Sequence, residues 1–291
     1  MKKKTTIPQK PTYYGNANRF SSLQLKNIAI IAMVIDHIAF ACLRPMAIES
    51  PVTSNIFLLY TILRAIGRLT MPLMVFCLVE GFCYTSNLRK YLIRLFLFAL
   101  VSHFPYVFFH LGNFGFNIST IRHFRTSIIA NLFLALLTLS IDAKTKLPNL
   151  TKAFITLLLL ILSWFCDWSF YPIILALIFY YLRPFAILKL PAYILTIPVW
   201  IALHNWAQVV ADLSQNGILT MFNGSIKTTV TQFTRYYHYQ LFFAGLLLVP
   251  PLLFFYNGKA GKQSTALKYF FYIFYPTHLL IIGWIKFGSP F

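Results

Sequence analysis

The segment IAMVIDHIAF, residues 31–40, places an aspartate beside a histidine in the middle of an apolar run from about residue 25 to 43. A helix that crosses about 30 Å of hydrocarbon needs roughly 20 apolar residues, and the run has that length. A charge at the bilayer centre costs about 2.5–3.5 kcal/mol on insertion scales. The segment therefore predicts a membrane helix in which the pair Asp36-His37 is kept for a specific purpose.

The composition of the whole chain points to the same environment. Hydrophobic residues make up 58% of the 291 residues and charged residues only 11%, whereas about a quarter of the residues in soluble proteins are charged. So few polar side chains cannot cover the surface of a soluble fold. We therefore expect the chain to be surrounded by membrane lipids.

Further apolar runs predict an all-α, polytopic integral membrane protein with about nine transmembrane helices. We expect a broken or re-entrant helix where one run is too long for a single span and holds Arg64 and Arg68 before Pro72. Residues 25–286 are predicted to form one transmembrane domain, with a polar extracytoplasmic loop at about 204–235. The predicted spans are residues 25–43, 56–84, 91–110, 126–141, 153–166, 168–182, 185–203, 236–256 and 268–286.

The basic residues predict the orientation of the chain. There are 25 Lys and Arg against six Asp and Glu, a net charge of +19, but the cations form short clusters between apolar runs, which argues against a nucleic-acid partner. If the basic segment 1–24 is cytoplasmic, alternating spans place 17 Lys and Arg in the cytoplasm, six outside and two within the membrane. This bias follows the positive-inside rule, so a cytoplasmic N-terminus is predicted.

Neither the cysteines nor short motifs indicate a known chemistry. The four cysteines have no CxxC or Cys/His spacing, so we predict no metal site and no disulfide. The sequence also lacks GxSxG, Walker, HExxH and Gly-rich dinucleotide patterns. The embedded ionisable residues are therefore the remaining candidates for a functional site.

Asp36, His37 and the two embedded arginines have two interpretations each. His37 is a possible general base near neutral pH, with Asp36 to orient it; alternatively, Asp36 pairs with an embedded arginine and His37 satisfies a buried carbonyl. Arg64 and Arg68 are four residues apart and so share one helical face. That face either neutralises Asp36 or binds an anionic group.

Three further polar residues also have a plain structural interpretation. Glu80 is a possible acid or base, or else a partner for Arg89 or Arg94. His278 follows Pro276 by two residues, so it either takes part in chemistry or bonds backbone groups at a helix kink. Asp167 is expected to cap the next helix.

Several stretches together resemble the TraX family of conjugation proteins. Together these stretches contain a DH pair, a GRxxxPxxxF element followed by EG, and an FYPxHL segment, and the three motifs occur in the order of the family. In this sequence they are LKNIAIIAMVIDHIAF (25–40), AIGRLTMPLMVFCLVEGFCYTSNLRKYLIRLFLFALVSHFPY (65–106), CDWSFYPIILALIFYYL (166–182) and YFFYIFYPTHLLIIGW (269–284).

The resemblance implies a membrane acetyltransferase in the bacterial inner membrane that uses acetyl-CoA from the cytoplasm and modifies a pilin or fimbrial subunit. Conjugation and fimbrial assembly are equally compatible with it. Acetyl-CoA is the expected acyl donor, without a metal. The expected catalytic residues are His37 as the base, Asp36 to hold it, Glu80 as a general acid or base, and His278 as an alternative base or acyl carrier. Substrate or CoA contacts are expected for Arg64, Arg68, Arg94 and Tyr275.

Two other functions remain open at the level of sequence. A non-enzymatic assembly factor would bind the apolar helices of pilin and use Asp36 and Arg68 only for stability. A proton-coupled transporter would also contain embedded Asp, Glu and His, but it is expected to show inverted repeats, which this sequence lacks.

Overall fold

The computed structural model describes residues 20–114, 125–216, 241–262 and 264–288, with side chains except at 186 and 204–216. Throughout these ranges the chain is helical, and no strand is formed beyond two isolated bridges. Most of the predicted N-terminal segment lies outside the described residues. The backbone of residues 204–216 is helical, and the rest of the predicted 204–235 loop lies outside the described residues.

Eleven α-helices, one π-helical turn and one 3₁₀ helix form the described fold. The π turn, Ala39–Leu43, directly follows α1, and the 3₁₀ helix, Leu241–Leu248, directly precedes α10. The α-helices are α1 Ser22–Ile38, α2 Arg44–Glu49, α3 Asn55–Gly67, α4 Thr70–Tyr84, α5 Leu88–Leu111, α6 Ile128–Lys144, α7 Asn149–Ser163, α8 Tyr171–Tyr181, α9 Ala186–Asn216, α10 Val249–Phe254 and α11 Thr265–Phe287.

The predicted all-helical membrane architecture is confirmed, whereas the count of nine spans stays a prediction. Within the described residues, four helical stretches are long and apolar enough to cross a membrane: Ser22–Glu49, Asn55–Tyr84, Leu88–Leu111 and Thr265–Phe287. Four further apolar helical stretches are shorter: Asn149–Ser163, Tyr171–Tyr181, Ile187–Leu203 and Leu241–Phe254. By length and composition, four of the stretches are therefore candidate membrane spans.

The helices divide into an inner group and an outer group. Helix α1 packs on α3 and α4, α5 packs between α11 and α6, and α8 packs on α4 and α6. Helix α7 keeps most of its apolar side chains exposed, and Phe154, Leu157 and Ile161 on one of its faces are each more than half exposed. Such an apolar outer face suits contact with lipid.

A close approach between α1 and α3 depends on Gly67. A β-carbon at this position would overlap the Asp36 carboxylate, so only glycine lets the two backbones come this near. Helix α3 ends at Gly67, and α4 starts at Thr70. Pro72 lies in the first turn of α4, where its missing N–H breaks no hydrogen bond. The predicted helix break before Pro72 therefore corresponds to the short turn at Arg68 and Leu69.

We expect Gly67→Ala to destabilise the protein by about 1–3 kcal/mol, the usual cost of overpacking, and to separate Asp36 from its arginines. Thermal unfolding of the detergent-solubilised chain measures this change. Gly81→Ala is the matched control, because the nearest atom to its added β-carbon is the mobile Tyr91 hydroxyl at 3.3 Å. Equal unfolding temperatures for both variants would contradict the proposed need for close approach.

Candidate functional site

A polar cavity of about 640 Å³ lies at the end of the bundle where α5 ends and α6 begins. Its volume is typical of small-molecule sites. The second half of α1, the α3–α4 junction, the last turns of α5 and the turn between α7 and α8 form its walls. The polar lining residues are Asp36, His37, Arg64, Arg68, Thr70, Tyr106, His110, Arg125, Asp167 and Tyr275.

Asp36 is shared by two arginines. Arg64 Nη1 donates to Asp36 Oδ2 at 2.6 Å, and Arg68 Nη2 lies 3.1 Å from both carboxylate oxygens. All three side chains are 10–12% exposed. Two guanidinium groups thus face one carboxylate in a largely dry environment, which leaves an excess of one positive charge. Arg64 Nε is also buried without a hydrogen-bond partner in the described part of the chain.

Aromatic rings surround the two guanidinium groups. The Cζ atom of Arg68 lies 4.9 Å from the ring centroid of Trp168 and 5.0 Å from that of Phe242, and Arg64 Cζ lies 5.2 Å from Phe40. Ring faces attract cations and exclude water from them. The excess positive charge is therefore held in place at the wall of the cavity rather than dispersed by solvent.

His37 bonds to a second histidine instead of Asp36. His37 Nδ1 lies 2.8 Å from His278 Nε2, and His278 Nδ1 lies 2.9 Å from the carbonyl oxygen of Phe274. The sequence hypothesis that Asp36 holds His37 does not match these contacts, because the carboxylate is occupied by Arg64 and Arg68. Adjacent residues on a helix point about 100° apart, which explains the separate partners.

Local structure explains how these two histidines meet. The helix that contains His37 changes to a π turn at Ala39–Leu43, and single π turns often occur at functional sites. His278 lies two residues after Pro276 in α11. Proline releases the carbonyl four residues before it, that of Tyr272, but His278 bonds the carbonyl of Phe274. His278 thus contacts a backbone carbonyl of its own helix, but not the one that Pro276 releases, and it also contacts His37.

Asp167 lies in the turn between α7 and α8 and does not cap α8. Helix α8 has no side-chain cap at Phe170, so the capping prediction for Asp167 is wrong. The Asp167 backbone N–H donates to the carbonyl of Thr126 at 3.0 Å, and its Oδ1 accepts from the Tyr106 hydroxyl at 3.2 Å. These contacts turn the carboxylate toward the cavity.

Glu80 belongs to a separate buried ion pair. Arg183 Nε donates to Glu80 Oε1 at 2.9 Å and Arg183 Nη2 to Oε2 at 3.3 Å, with the Tyr256 hydroxyl also at 3.3 Å. The predicted pairing with Arg89 or Arg94 is therefore wrong, because the nearby cation comes from the turn after α8. Glu80 does not line the cavity, and its geometry is that of a structural ion pair.

The remaining predicted residues divide between the cavity and its surroundings. Tyr275 lines the cavity. Arg94 does not line it, and the Cζ atom of its guanidinium lies 5.7 Å from the ring centroid of Tyr91. Direct contact between Arg94 and a ligand in this cavity is thus not supported by the geometry.

Three ionisable lining residues were not singled out as site candidates in the sequence. Tyr106 and His110 lie one turn apart at the end of α5, with ring centroids 4.5 Å apart, and Arg125 precedes α6. Tyr106 follows Pro105, and His110 lies just before the Gly112 cap. The sequence predicts that these residues lie near a helix end. It does not predict that they lie close to the turn between α7 and α8.

The fold and the cavity together define a helical membrane protein with an embedded polar site. The model of the family described as TraX protein matches residues 21–286. The chain belongs to the TraX family. It is 32% identical over 266 residues to "Probable fimbrial assembly protein FimC, serogroup H1" of Dichelobacter nodosus, covering 90% of this chain and 94% of that protein. No solved structure gives a significant match.

We expect Asp36→Asn to destabilise the chain by about 3–5 kcal/mol, because it leaves two buried arginines without a counter-ion. Adding Arg64→Gln should recover part of this loss, and unfolding of the single and double variants measures the coupling. Glu49→Gln, at an exposed acid, is the matched control and should change stability by less than about 0.5 kcal/mol. Additive effects of the two site variants would contradict the shared ion pair.

Proposed function

We propose that this chain is a membrane-bound acetyltransferase that transfers an acetyl group from acetyl-CoA to an amine of a pilus or fimbrial subunit. The observation that supports it best is the histidine pair at the wall of the polar cavity. It supplies a base, and the adjacent arginines supply positive charge. Acyl transfer to an amine needs both.

The contacts assign the tautomers of the two histidines. A carbonyl oxygen only accepts hydrogen bonds, so His278 Nδ1 donates to Phe274 and carries the proton. In the neutral ring the other nitrogen, Nε2, then accepts from His37 Nδ1. The Nε2 atom of neutral His37 is therefore unprotonated. It has no hydrogen-bond partner in the described part of the chain and is available as a general base at the cavity.

The same contacts separate the roles of the two rings. His37 lines the cavity, whereas His278 is 6% exposed and does not line it. Both ring nitrogens of His278 are occupied by hydrogen bonds, which leaves none for an acyl group. We therefore propose His37 as the base and His278 as a positioning residue that fixes its tautomer and stabilises the charge that His37 gains.

In the proposed reaction the acceptor amine attacks the carbonyl carbon of the acetyl thioester. The amine proton moves to His37 Nε2, a C–N bond forms, and negative charge develops on the carbonyl oxygen. When the C–S bond breaks, the thiolate of CoA leaves and takes the proton from His37. The products are the acetylated amine and free CoA, with His37 returned to its neutral form.

The pair of arginines is suited to the developing negative charge. Arg64 and Arg68 carry one positive charge more than Asp36 neutralises, and Arg64 Nε is a donor without an acceptor. Fixed donors in a site that excludes water stabilise an oxyanion more strongly than water does. These observations fit the acetyl thioester end of the donor, with Asp36 holding the guanidinium groups in position.

The pilus connection rests on the family and on the relative. The TraX resemblance implies a pilin acetylase, and the relative is named a probable fimbrial assembly protein. With the proposed cytoplasmic N-terminus, the cavity lies toward the extracytoplasmic end of α1 and α5. An acceptor anchored in the inner membrane with its amine on that side would reach His37 directly, whereas the acetyl thioester of cytoplasmic acetyl-CoA would have to enter the same cavity from the opposite side of the membrane.

A non-enzymatic role in fimbrial assembly is the second candidate function, and the name of the relative, a probable fimbrial assembly protein, favours it. In this role the chain would bind a pilus subunit without modifying it. The Asp36 cluster would then serve stability only. The two functions differ in one outcome: only the enzyme leaves an acetyl group on the subunit.

We expect His37→Ala to lower acetylation of the pilus subunit at least about 100-fold, the usual contribution of a general base, without loss of the chain from the membrane. His278→Ala should cause a smaller loss and change the pH dependence of the rate. Intact-mass analysis of the subunit from strains with each variant measures the acetyl increment.

His103→Ala is the matched control for these variants, because His103 lies on α5 but does not line the cavity. It should leave acetylation unchanged. Full acetylation in the His37→Ala strain would remove His37 from the mechanism. A subunit that never carries an acetyl group, even with the unmodified chain, would favour the assembly role.

A further inference from the structure

The carboxylate of Asp167 is a charged cavity group whose partner within the described residues is only a neutral phenol. Its one hydrogen bond from a side chain comes from the Tyr106 hydroxyl at 3.2 Å. The residue is partly buried and lines the cavity together with His37. An ionised carboxylate can accept about four hydrogen bonds, so most of the acceptor positions of Asp167 are unused by the described residues.

The two buried carboxylates differ from the partly buried Asp167 in this respect. Asp36 has two arginines, and Glu80 has Arg183. A carboxylate removed from water is normally stabilised by a cation, since its desolvation is costly. Within the described residues the protein supplies such a cation twice but leaves Asp167 without one, although it holds the backbone of Asp167 in place through Thr126.

The cations that line the same cavity do not neutralise Asp167. Arg68 lies within electrostatic range of it, but its guanidinium is bonded to Asp36. Arg125 is exposed and forms no ion pair with Asp167 in the described structure. As far as the described residues show, the position is therefore open to a cation that enters the cavity.

The surroundings of Asp167 suit an ammonium group. Trp164, Phe165, Trp168 and Tyr106 line the cavity beside it. Aromatic faces attract ammonium ions, and the attraction grows when water is excluded. A carboxylate beside several rings thus recognises both the charge and the apolar substituent of an organic amine.

We propose that Asp167 binds the ammonium group of the acceptor amine. This inference rests on the proposed function only for the role of that amine as the acetyl acceptor. An α-ammonium group and a lysine ε-ammonium group share the required chemistry. After binding, the ammonium transfers one proton to His37 Nε2, and His37 passes that proton to solvent. The neutral amine then attacks, and His37 Nε2 takes the second proton as described above.

Binding is measured on the full chain in detergent without acetyl-CoA, so the result does not depend on acetyl transfer. Two probes are cationic: phenylalanine amide carries an α-ammonium group, and Nα-acetyl-lysine amide carries an ε-ammonium group. The third probe, Nα-acetyl-phenylalanine amide, is neutral. At pH 6.5 the two amines are protonated. A ligand that binds the folded state raises the unfolding temperature, which gives its Kd.

The expected result is that at least one cationic probe binds at least tenfold more tightly than the neutral probe, and that Asp167→Asn removes this difference. The cationic probe that binds more tightly shows whether the site prefers an α-ammonium or an ε-ammonium group. Asp142→Asn, at an acid that bonds Tyr181 and does not line the cavity, should keep the tenfold preference. Tyr106→Phe should keep it as well, because the carboxylate remains.

Equal binding of neutral and cationic probes to the unmodified chain would overturn the inference, and this comparison requires no variant to fold. A preference that survives in a folded Asp167→Asn protein would also overturn it. If cationic probes bind through Asp167 but no pilus subunit is acetylated, the proposed function fails while the amine site stands.

Discussion

The ion cluster of Asp36 with Arg64 and Arg68 is the constraint on which the rest of the site depends. It joins α1 to the α3–α4 junction, and Gly67 is required because any larger residue would displace the carboxylate. It also determines where His37 points, since the neighbouring residue on the same helix must face another direction. Because two cations share one anion, the cluster leaves positive charge at the cavity. One arrangement thus provides helix packing, electrostatic bias and the orientation of a base.

The two buried clusters of the bundle show why an embedded charge is not by itself a functional site. Glu80 and Arg183 bond to each other through two nitrogen–oxygen contacts, and Glu80 lies away from the cavity. The Asp36 cluster borders open volume, and so do His37 and Asp167. Access to a cavity, combined with unused donors and acceptors, separates a site that handles a ligand from a charge pair that holds helices together.

The sequence was sufficient to predict the helical membrane architecture, the helix break before Pro72 and the polar pair Asp36-His37 within the first apolar helix. These features depend on local composition and on the cost of charge in lipid. The partners were harder to predict because they are remote: His37 meets a histidine 241 residues away, and Glu80 meets an arginine 103 residues away. Asp167 was assigned to a helix cap because local pattern describes only its own turn. Its neighbour Tyr106 comes from α5, which no local pattern indicates.

The most direct test of acetyl transfer in the cavity bordered by Asp36, His37 and Asp167 uses the purified chain in lipid vesicles with acetyl-labelled acetyl-CoA and a purified pilus subunit. We expect label on an amine of the subunit and one CoA released for each acetyl group transferred. The His37→Ala protein is expected to transfer no label and to release no CoA. If the folded, unmodified chain releases no CoA and leaves the subunit unlabelled, the proposed acetyl transfer is wrong.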